Sequence, residues 1–324
     1  MATTRIWDKD NEHELAFKRS VAGNQSCLPL VKYMLSILIG LATYPKNIMK
    51  TNYTLIGDVR EKLKELPDKS IQMCVTSPPY FNLRDYDNQE NQLGLEKTPE
   101  EFVENLVEVF AEVHRVLRDD GTLWLNLGDT YLKNKQLGFI PQKVAIALQE
   151  WGWILRQDII WAKKNCMPES VKDRFTKNHE YIFLLSKQPK YFFNQIREPA
   201  TQVSIDRSKR KMNFRKITPD KTVYDEAQDP SRVVAADHMR NKRSVWNMRT
   251  ASYKEAHFAV FPPELAETCI KAGSNEKDIV LDCFMGSGTT AMVAQDLFRK
   301  WIGIELNPEY EKLIRKRTSQ QVLF

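Results

Sequence analysis

The residues Thr76-Ser77-Pro78-Pro79-Tyr80 have types and a spacing that could bind a flat, nitrogen-bearing substrate. The two prolines fix φ at about −65° and remove two backbone donors, so the carbonyl groups there are acceptors with a set direction. The Ser77 hydroxyl lies beside them, and Tyr80 adds a flat ring. Rigid acceptors under an aromatic face suit the exocyclic amino group of a heterocycle. On their own, the five residues are equally consistent with a plain strand-terminating turn.

A glycine-rich loop near the C-terminus is the second candidate site. A predicted strand at 278–282 is followed by Phe284-x-Gly286-x-Gly288, then by a predicted helix, and Glu305 lies at the end of the next strand. Glycines let the backbone turn tightly and approach a ligand, and an acid after the next strand can accept from ribose hydroxyls. The pattern predicts a nucleoside-cofactor site. Because Gly286-x-Gly288-x-x-Ala291 also fits a dinucleotide fingerprint, the motif alone leaves the cofactor class open.

The position of this loop in the chain bears on the cofactor class. Only 36 residues follow Gly288, too few to build the remaining strands of a Rossmann domain in its usual order. The sheet must therefore include strands from earlier in the chain, and we expect a circularly permuted fold. A dehydrogenase would rarely have this arrangement.

Both candidate sites lie where predicted strands end. From residue 52 onward, apolar runs alternate with segments of helical spacing, which predicts an α/β fold with a doubly wound, mostly parallel sheet. Several strands are almost continuously apolar, as burial on both faces requires. Thr98 and Pro99 predict the start of a long helix. Seven strands are predicted, at 53–56, 71–76, 122–127, 153–161, 180–185, 278–282 and 301–306.

The bulk composition indicates a globular protein. The 324 residues suffice for one large α/β domain or two smaller ones, and 42% hydrophobic with 28% charged residues is an ordinary composition. No Cys-x-x-Cys pair is present, which argues against a disulfide framework or a zinc site and suits a reducing cytoplasm. We expect no metal. The cysteines are Cys27, Cys74, Cys166, Cys269 and Cys283.

Residues 1–50 are predicted to be an N-terminal extension without recognisable chemistry. Its apolar stretch at 27–44 contains Pro29 and Lys32, and its apolar core is short for a membrane span of roughly 20 residues. A signal peptide would have its apolar core nearer the N-terminus, followed by a small-residue cleavage site. We expect a buried or capping helix here and no membrane association.

A basic segment at 197–254 contains 14 Lys or Arg and 7 Asp or Glu residues, a local charge of +7, whereas the whole chain has a net charge of +6. The segment shows little helical or strand periodicity. Concentrated basic charge favours a polyphosphate partner, since each neutralised phosphate releases counterions. A solvated insertion without a partner would have the same composition.

The two motifs in this order, with a basic stretch between them, resemble the β-class amino-DNA methyltransferases over roughly residues 52–315. The resemblance implies S-adenosyl-L-methionine as cofactor and a Rossmann-like, circularly permuted seven-stranded methyltransferase sheet with a basic target-recognition insert. It divides the chain into an extension (1–50), a catalytic half (51–195), a target-recognition region (196–250) and an S-adenosylmethionine-binding half (251–324).

The resemblance also implies roles for individual residues. Asp58 matches the position that accepts from the adenine amino group of the cofactor, and Glu305 the acid on its ribose. His257-Phe258 departs from the family, which often has His-Pro there. The implied catalytic residues are Ser77, Pro78, Pro79 and Tyr80. The implied cofactor-binding residues are Asp58, Thr76, Asp282, Phe284, Gly286, Ser287, Gly288, Thr289, Thr290, Glu305 and Asn307.

Candidate DNA-binding residues follow from the distribution of basic charge. One group lies on a polar loop after a strand that should end near the catalytic motif: Lys163, Lys164, Lys172 and Arg174. The other group lies in the basic segment: Lys209, Arg210, Lys211, Arg215, Lys242 and Arg243. Trp246 and Tyr253 could stack on bases or pack against the chain. We interpret His179-Glu180 as structural, since a second zinc histidine is lacking. Asp129, after its strand, could approach the active site, but a strand-ending turn is favoured.

The expected reaction is direct methylation of an exocyclic amine on a base rotated out of duplex DNA. In the family, Ser-Pro-Pro-Tyr is mostly associated with N4-cytosine and Asp-Pro-Pro-Tyr with N6-adenine, so Ser77 favours cytosine over adenine. A carbon-5 cytosine methylase would require a Pro-Cys nucleophile, and Cys166 lies in Asn-Cys-Met-Pro instead.

Interpretations from other classes stay open. They are a non-catalytic DNA-binding protein that kept the fold, and an RNA-directed or small-molecule methyltransferase. The expected partner is double-stranded DNA, in a prokaryotic or phage-encoded cytoplasmic protein that is a monomer or a homodimer. A cognate restriction enzyme is an expected genetic partner, and no residue pattern separates that case from an orphan enzyme.

Overall fold

Strands and helices alternate along the computed structural model, which describes residues 49–83, 92–208, 238–251 and 261–319. The strands are β1 (Tyr53–Ile56), β2 (Ile71–Thr76), β3 (Leu117–Leu127), β4 (Ile154–Lys163), β5 (His179–Ser186), β6 (Arg197–Pro199), β7 (Met239–Asn241), β8 (Val245–Met248), β9 (Ile279–Asp282) and β10 (Lys300–Glu305). The helices are α1 (Val59–Lys62, continued by a 3-10 turn at Leu63–Glu65), α2 (Pro99–Val116), α3 (Ile140–Trp151), α4 (Gln202–Ser208), α5 (Pro263–Gly273), α6 (Thr289–Asp296) and α7 (Tyr310–Ser319).

One eight-stranded sheet has the order β1-β10-β9-β2-β3-β5-β4-β8. Only β5 runs antiparallel to its neighbours β3 and β4, and the other pairings in this sheet are parallel. The predicted mostly parallel α/β sheet is therefore confirmed. Every residue of β2 is buried, as expected for a strand covered on both faces.

The prediction of seven strands was wrong, because β8 adds an eighth strand at the edge of the sheet. This strand is only four residues long and pairs in parallel with β4. Its side chains alternate, with Trp246 and Met248 buried and Val245 and Asn247 exposed. A single four-residue alternation inside a strongly basic segment is too short to stand out as a sequence pattern.

The expectation of little regular structure at 197–254 was also wrong in part. Besides β8, this stretch contains α4 and the antiparallel pair of β6 with β7. Strands of three residues are stabilised by tertiary pairing rather than by local propensity. Residues 209–237, with the predicted DNA contacts Lys209, Arg210, Lys211 and Arg215, lie outside the described residues.

The long helix α2 begins where its sequence predicts. The hydroxyl oxygen of Thr98 accepts a hydrogen bond from the backbone nitrogen of Glu101 at 3.2 Å, and Pro99 occupies the first turn. Its buried face repeats every three or four residues and packs on the sheet through Phe102, Leu106, Val109, Phe110, Val113 and Val116.

The described residues from Thr51 onward belong to one compact unit. The predicted helix at 27–44, the pair His257-Phe258 and Tyr253 lie outside the described residues. Within the described ranges, no helix is long and apolar enough to cross a membrane.

Candidate active site

The two sequence motifs meet at one edge of the sheet, because they follow neighbouring parallel strands. Strands β2 and β9 pair through Met73 with Val280 and Cys74 with Leu281. Their carboxyl ends therefore lie side by side, and open α/β sheets bind ligands at such ends.

A buried carboxylate ties the two motifs together. The Asp282 side chain is 1% exposed and accepts hydrogen bonds from the hydroxyls of Thr76 at 2.6 Å and Thr290 at 2.5 Å. The backbone nitrogen of Phe284 donates to the same carboxylate at 3.1 Å. Burial raises the pKa of Asp282, and these three hydrogen bonds oppose that rise. Asp282 thus fixes the start of the glycine loop against the end of β2.

The glycine loop has the conformation that its sequence predicts. Gly286 and Gly288 have φ values of +52° and +82°, in the left-handed region that favours glycine. Space is open at the position where Gly286 would carry a side chain, so the backbone there can be approached closely.

The acid after β10 holds the loop from the other side. The two carboxylate oxygens of Glu305 accept from the backbone nitrogens of Gly286 at 2.7 Å and Asn307 at 2.9 Å. Burial raises the pKa of Glu305, and the hydrogen bonds from Asn307 and Gly286 oppose that rise. Each oxygen keeps a lone pair that can accept from a ligand hydroxyl.

A buried arginine from the last helix supports the same loop. The guanidinium of Arg317, on α7, donates to the hydroxyls of Ser287 at 2.8 Å and Thr289 at 3.0 Å. Arg317 is 9% exposed. No motif in the sequence indicates this contact, since Arg317 lies in a helix with several other charged residues.

A cavity of about 380 Å³ joins the two motifs, a size in the range of ligand sites. Thr76, Asp282, Gly288 and Thr290 are not among the residues that line it, and they support the loop from behind. The predicted site residues that do line it are Asp58, Ser77, Pro78, Pro79, Tyr80, Phe284, Gly286, Ser287, Thr289, Glu305 and Asn307.

Asp58 lies at one end of this cavity and is already hydrogen-bonded. Its carboxylate caps α1 through the backbone nitrogen of Arg60 at 2.8 Å and pairs with the Arg60 guanidinium at 2.6 Å. Partial burial opposes ionisation of Asp58, but the hydrogen bonds and charge of Arg60 prevail and lower its pKa. Asp58 is therefore a fixed anionic acceptor at this end of the cavity.

The opposite end contains a polar network around Tyr80. The Tyr80 hydroxyl donates to the Glu180 carboxylate at 2.7 Å and accepts from the Asn126 amide at 2.8 Å. The Ser77 hydroxyl donates to the Tyr80 oxygen at 3.3 Å. Lys163 pairs with the second oxygen of Glu180, so the carboxylate is charge-balanced.

The ring of Tyr80 is positioned by a glycine. A side chain at Gly128, just after β3, would lie 2.5 Å from Cε2 of Tyr80. Gly128 therefore leaves the space that the ring fills, while Glu180 and Asn126 fix the hydroxyl. Tyr80 is held by both its ring and its oxygen.

Asn126 contributes an unsatisfied acceptor. Its side chain lines the cavity and is 3% exposed, and its Oδ1 atom has no hydrogen-bond partner among the described residues. Buried polar atoms are rarely left unpaired, and those that are call for an explanation. A donor on a bound ligand would satisfy it.

The interpretation of His179-Glu180 as structural did not anticipate that Glu180 lines the cavity. The sequence signal that could have identified Glu180 is a carboxylate at the start of an apolar strand. The corresponding signal for Asn126 is an amide within the buried run Leu123–Leu127. Among the described residues, no cluster of His, Cys, Asp and Glu could hold a metal ion.

Two alternatives are decided by contacts. Asp129 accepts from the backbone nitrogens of Phe139 at 3.1 Å and Ile140 at 3.0 Å, which confirms a structural turn and caps α3. Trp246 is 6% exposed and packs in the core, so it is not a base-stacking residue.

The predicted DNA-binding cations fall into different environments. Lys163 is engaged by Glu180 inside the cavity, whereas Lys164 and Lys172 are exposed. The Arg174 guanidinium pairs with Glu169 and lies 4.1 Å from the ring centroid of Tyr131.

The remaining two described cations lie near β8. The Lys242 ammonium is 5.5 Å from the ring centroid of Trp246, and the Arg243 side chain is 62% exposed and 3.9 Å from Glu198. DNA contact stays a prediction for all of these residues.

Fold and site together define an α/β enzyme that binds a nucleoside cofactor next to a Ser-Pro-Pro-Tyr motif. The chain belongs to the N6_N4_Mtase family of DNA methylases, whose model matches residues 71–316. It is 41% identical to the Type II methyltransferase M.SmaI of Serratia marcescens, covering 81% of this chain and 89% of that protein. It is also 41% identical to the Type II methyltransferase M.XycI of Xanthomonas campestris pv. cyanopsidis, covering 86% and 91%.

Solved structures have the same fold. The PvuII cytosine-N4-specific DNA methyltransferase superposes with a TM-score of 0.62 at 22% identity, over 85% of this chain and 89% of that one. A candidate DNA modification methylase from Thermus thermophilus, complexed with S-adenosyl-L-methionine, superposes with a TM-score of 0.55 at 26% identity, over 83% and 96%.

The protein is therefore a DNA methyltransferase that uses S-adenosyl-L-methionine. The residues fit that cofactor: Glu305 offers carboxylate lone pairs to hydroxyls, Gly286 faces open space, and Asp58 offers an acceptor at the cavity's end.

We expect Gly128→Ala to lower the rate of DNA methylation about 100-fold, since a displacement of about 1 Å can cost that much. The added methyl group would displace the Tyr80 ring. Single-turnover transfer of labelled methyl groups measures the rate. Binding of S-adenosylmethionine by calorimetry should stay unchanged, and an unaltered methylation rate would contradict the role of Gly128.

Proposed function

We propose that this enzyme methylates the exocyclic N4 amine of cytosine in a specific duplex DNA sequence. One observation carries the proposal: a single cavity is lined by the glycine loop and Glu305 at one end and by Ser77–Tyr80 at the other. The two reactants can thus be bound next to each other, and positioning of two reactants supplies much of such a reaction's rate.

The acceptors around Ser77 suit an exocyclic amine. S-Adenosylmethionine supplies an electrophilic methyl group when bound. The amine is a poor nucleophile because its lone pair is delocalised into the ring. The Ser77 hydroxyl, the Pro78 carbonyl and the unpaired Asn126 Oδ1 can accept from the amine and favour a more tetrahedral nitrogen.

The network beyond Ser77 offers a route for the proton that the methylated amine must lose. Ser77 can accept this proton and pass its own to Tyr80, which passes its own to Glu180. The hydroxyls are restored and the Glu180 carboxylate ends protonated. Lys163 holds that carboxylate in place through its other oxygen.

The target base must leave the duplex, because the amine cannot reach this cavity from inside the helix. Tyr80 would stack on the flipped base, and its anchoring by Gly128 and Glu180 would keep the ring in one orientation.

Serine at position 77 supports cytosine over adenine through the association of Ser-Pro-Pro-Tyr with N4-cytosine. The second candidate is N6-adenine methylation, which has the same requirements for acceptors and geometry.

A circularly permuted fold is supported by the position of β9, from the C-terminal part of the chain, beside β2. Target recognition by residues 196–250 is supported by the charge of +7 over residues 197–254.

We expect Ser77→Ala and Tyr80→Ala to lower methylation by about 100-fold or more, while both retain S-adenosylmethionine binding. Ser77→Ala removes an acceptor and Tyr80→Ala removes the stacking ring, and neither substitution changes the glycine loop. Labelled methyl transfer to duplex DNA, RNA and free nucleosides measures substrate class as well as rate. Ser319→Ala, on the exposed face of α7, is the matched control. Wild-type turnover by Ser77→Ala would refute the proposed role.

We expect Glu180→Gln to lower the single-turnover rate about 100-fold and to change the solvent deuterium isotope effect. The amide keeps the size of the side chain but accepts a proton poorly. Glu150→Gln, an exposed position on α3, is the control. An equal rate loss without any change in isotope effect would assign Glu180 a purely structural role.

Methylation-sensitive sequencing of DNA from cells expressing the protein should show N4-methylcytosine at one recurring sequence. N6-methyladenine at a recurring sequence would establish the second candidate instead. DNA from cells expressing the Ser77→Ala variant is the control. Unmodified DNA with methylated RNA would overturn both candidates.

A further inference from the structure

Loop 164–178, which connects β4 to β5, has large apolar side chains that are almost fully exposed to solvent. Phe175 is 97% exposed and Met167 is 85% exposed. Large apolar side chains on a protein surface indicate an interaction site when they cluster beside other recognition features. The exposed ring of Phe175 is therefore available to a partner that accepts an aromatic ring.

The loop is anchored despite this exposure. At its base, the backbone nitrogen of Lys163 donates to the Asn178 carbonyl at 2.7 Å. The Lys177 ammonium donates to the Asp129 carbonyl at 2.6 Å. The residues that follow Phe175 are thus held in place.

Contacts with the segment after β3 hold the middle of the loop. Arg174, directly before Phe175, lies over the ring of Tyr131. Asp173 pairs with Lys135 at 2.7 Å. These contacts direct the residues before Phe175 towards the protein and leave its ring in solvent.

The loop lies at the active-site edge of the sheet. It begins after Lys163 and ends just before His179 and Glu180, and Lys163 and Glu180 line the cavity. Because β4 and β5 are antiparallel neighbours, their connection lies at the edge where β4 ends. Parallel strands β2 and β3 end at that edge as well.

The charge of the loop indicates an anionic partner. Residues 164–178 contain four Lys or Arg and two acidic residues, a net charge of +2. Both acids are paired with cations, Glu169 with Arg174 and Asp173 with Lys135. Lys164 and Lys172 are exposed. An apolar ring flanked by exposed cations matches a base stack flanked by phosphates better than it matches another protein surface.

We propose that Phe175 enters the DNA duplex at the position vacated by the target base, with Lys164 and Lys172 on the adjacent phosphates. A flipped base leaves a gap whose neighbouring bases have lost a stacking partner, and inserted apolar side chains are used to fill or open such steps. This inference rests on the proposed base flipping. Phe175 is favoured over Met167 because it lies three residues from the base of the loop at Asn178 and has a flat face for stacking.

The test uses full-length protein and a duplex with the mapped methylation sequence, in which a fluorescent analogue replaces the target base. Emission rises when the base leaves the stack. We expect Phe175→Ala to weaken duplex binding and base opening by about 10- to 100-fold, since unstacking costs a few kcal/mol. Phe175→Trp should stay within about threefold of wild type, because it keeps a stacking face. Met167→Ala, an exposed apolar residue on the same loop, should match wild type.

A second duplex separates gap filling from general contact. In this duplex the target base has no pairing partner, so its opening costs less free energy. The loss of duplex binding and base opening caused by Phe175→Ala should therefore fall to about threefold or less. The inference would be overturned if Phe175→Ala weakened binding and base opening equally on both duplexes. It would also be overturned if Met167→Ala weakened them as much as Phe175→Ala does. Base opening by Phe175→Ala at the wild-type level would overturn it as well, while leaving the proposed function intact. If the wild type methylates DNA without base opening, both the flipping mechanism and this inference fail.

Discussion

The buried carboxylate of Asp282 is the contact on which the site depends. This carboxylate accepts a hydrogen bond from the hydroxyl of Thr76, which lies 206 residues away in sequence. It also accepts from the hydroxyl of Thr290, in the first turn of α6. Burying a carboxylate is costly unless its oxygens are hydrogen-bonded, and three donors surround this one. The same arrangement places Ser77 one residue beyond Thr76 and Phe284 two residues beyond Asp282. A single satisfied buried acid therefore sets the spacing between the Ser-Pro-Pro-Tyr motif and the glycine loop.

The end of the cavity around Tyr80 and Glu180 has a different arrangement of charges. Glu180 is partly buried and would strongly favour a cation nearby, yet Lys163 already balances it. What the network presents towards Ser77 is a set of neutral dipoles, the Tyr80 hydroxyl and the Asn126 amide. Neutral acceptors can hold an amine without fixing a proton on it. In the proposed reaction, an anionic end at Asp58 and a neutral end at Ser77 would separate cofactor recognition from the reacting nitrogen.

Much of the fold could be predicted from sequence, because β2, β9 and β10 are short apolar runs with clear ends and α2 has a cap and a periodic face. The start of β3 was not, since its first residues include Arg118 and Asp119. The glycine loop and Glu305 were predictable for the same reason, since their roles depend on local spacing. Asn126, Glu180 and Arg317 were not. Each acts through partners that are distant in sequence, and no local pattern encodes those pairings. The short strand β8 was missed because its formation depends on the edge of β4.

The order of the two motifs along the chain matters little to the chemistry, and the sheet explains why. Parallel strands are connected by crossovers that lie outside the sheet, so two neighbours need not be close in sequence. Strand β9 lies between β10 and β2, and the loops after β9 and β2 face the same cavity. Only adjacency at the carboxyl edge is required for the cofactor loop and Ser77 to meet. Segments that connect the strands outside the sheet can therefore vary in length and charge without disturbing the contact between Thr76 and Asp282. This separation lets the connecting segments change while the loops after β2 and β9 keep their geometry.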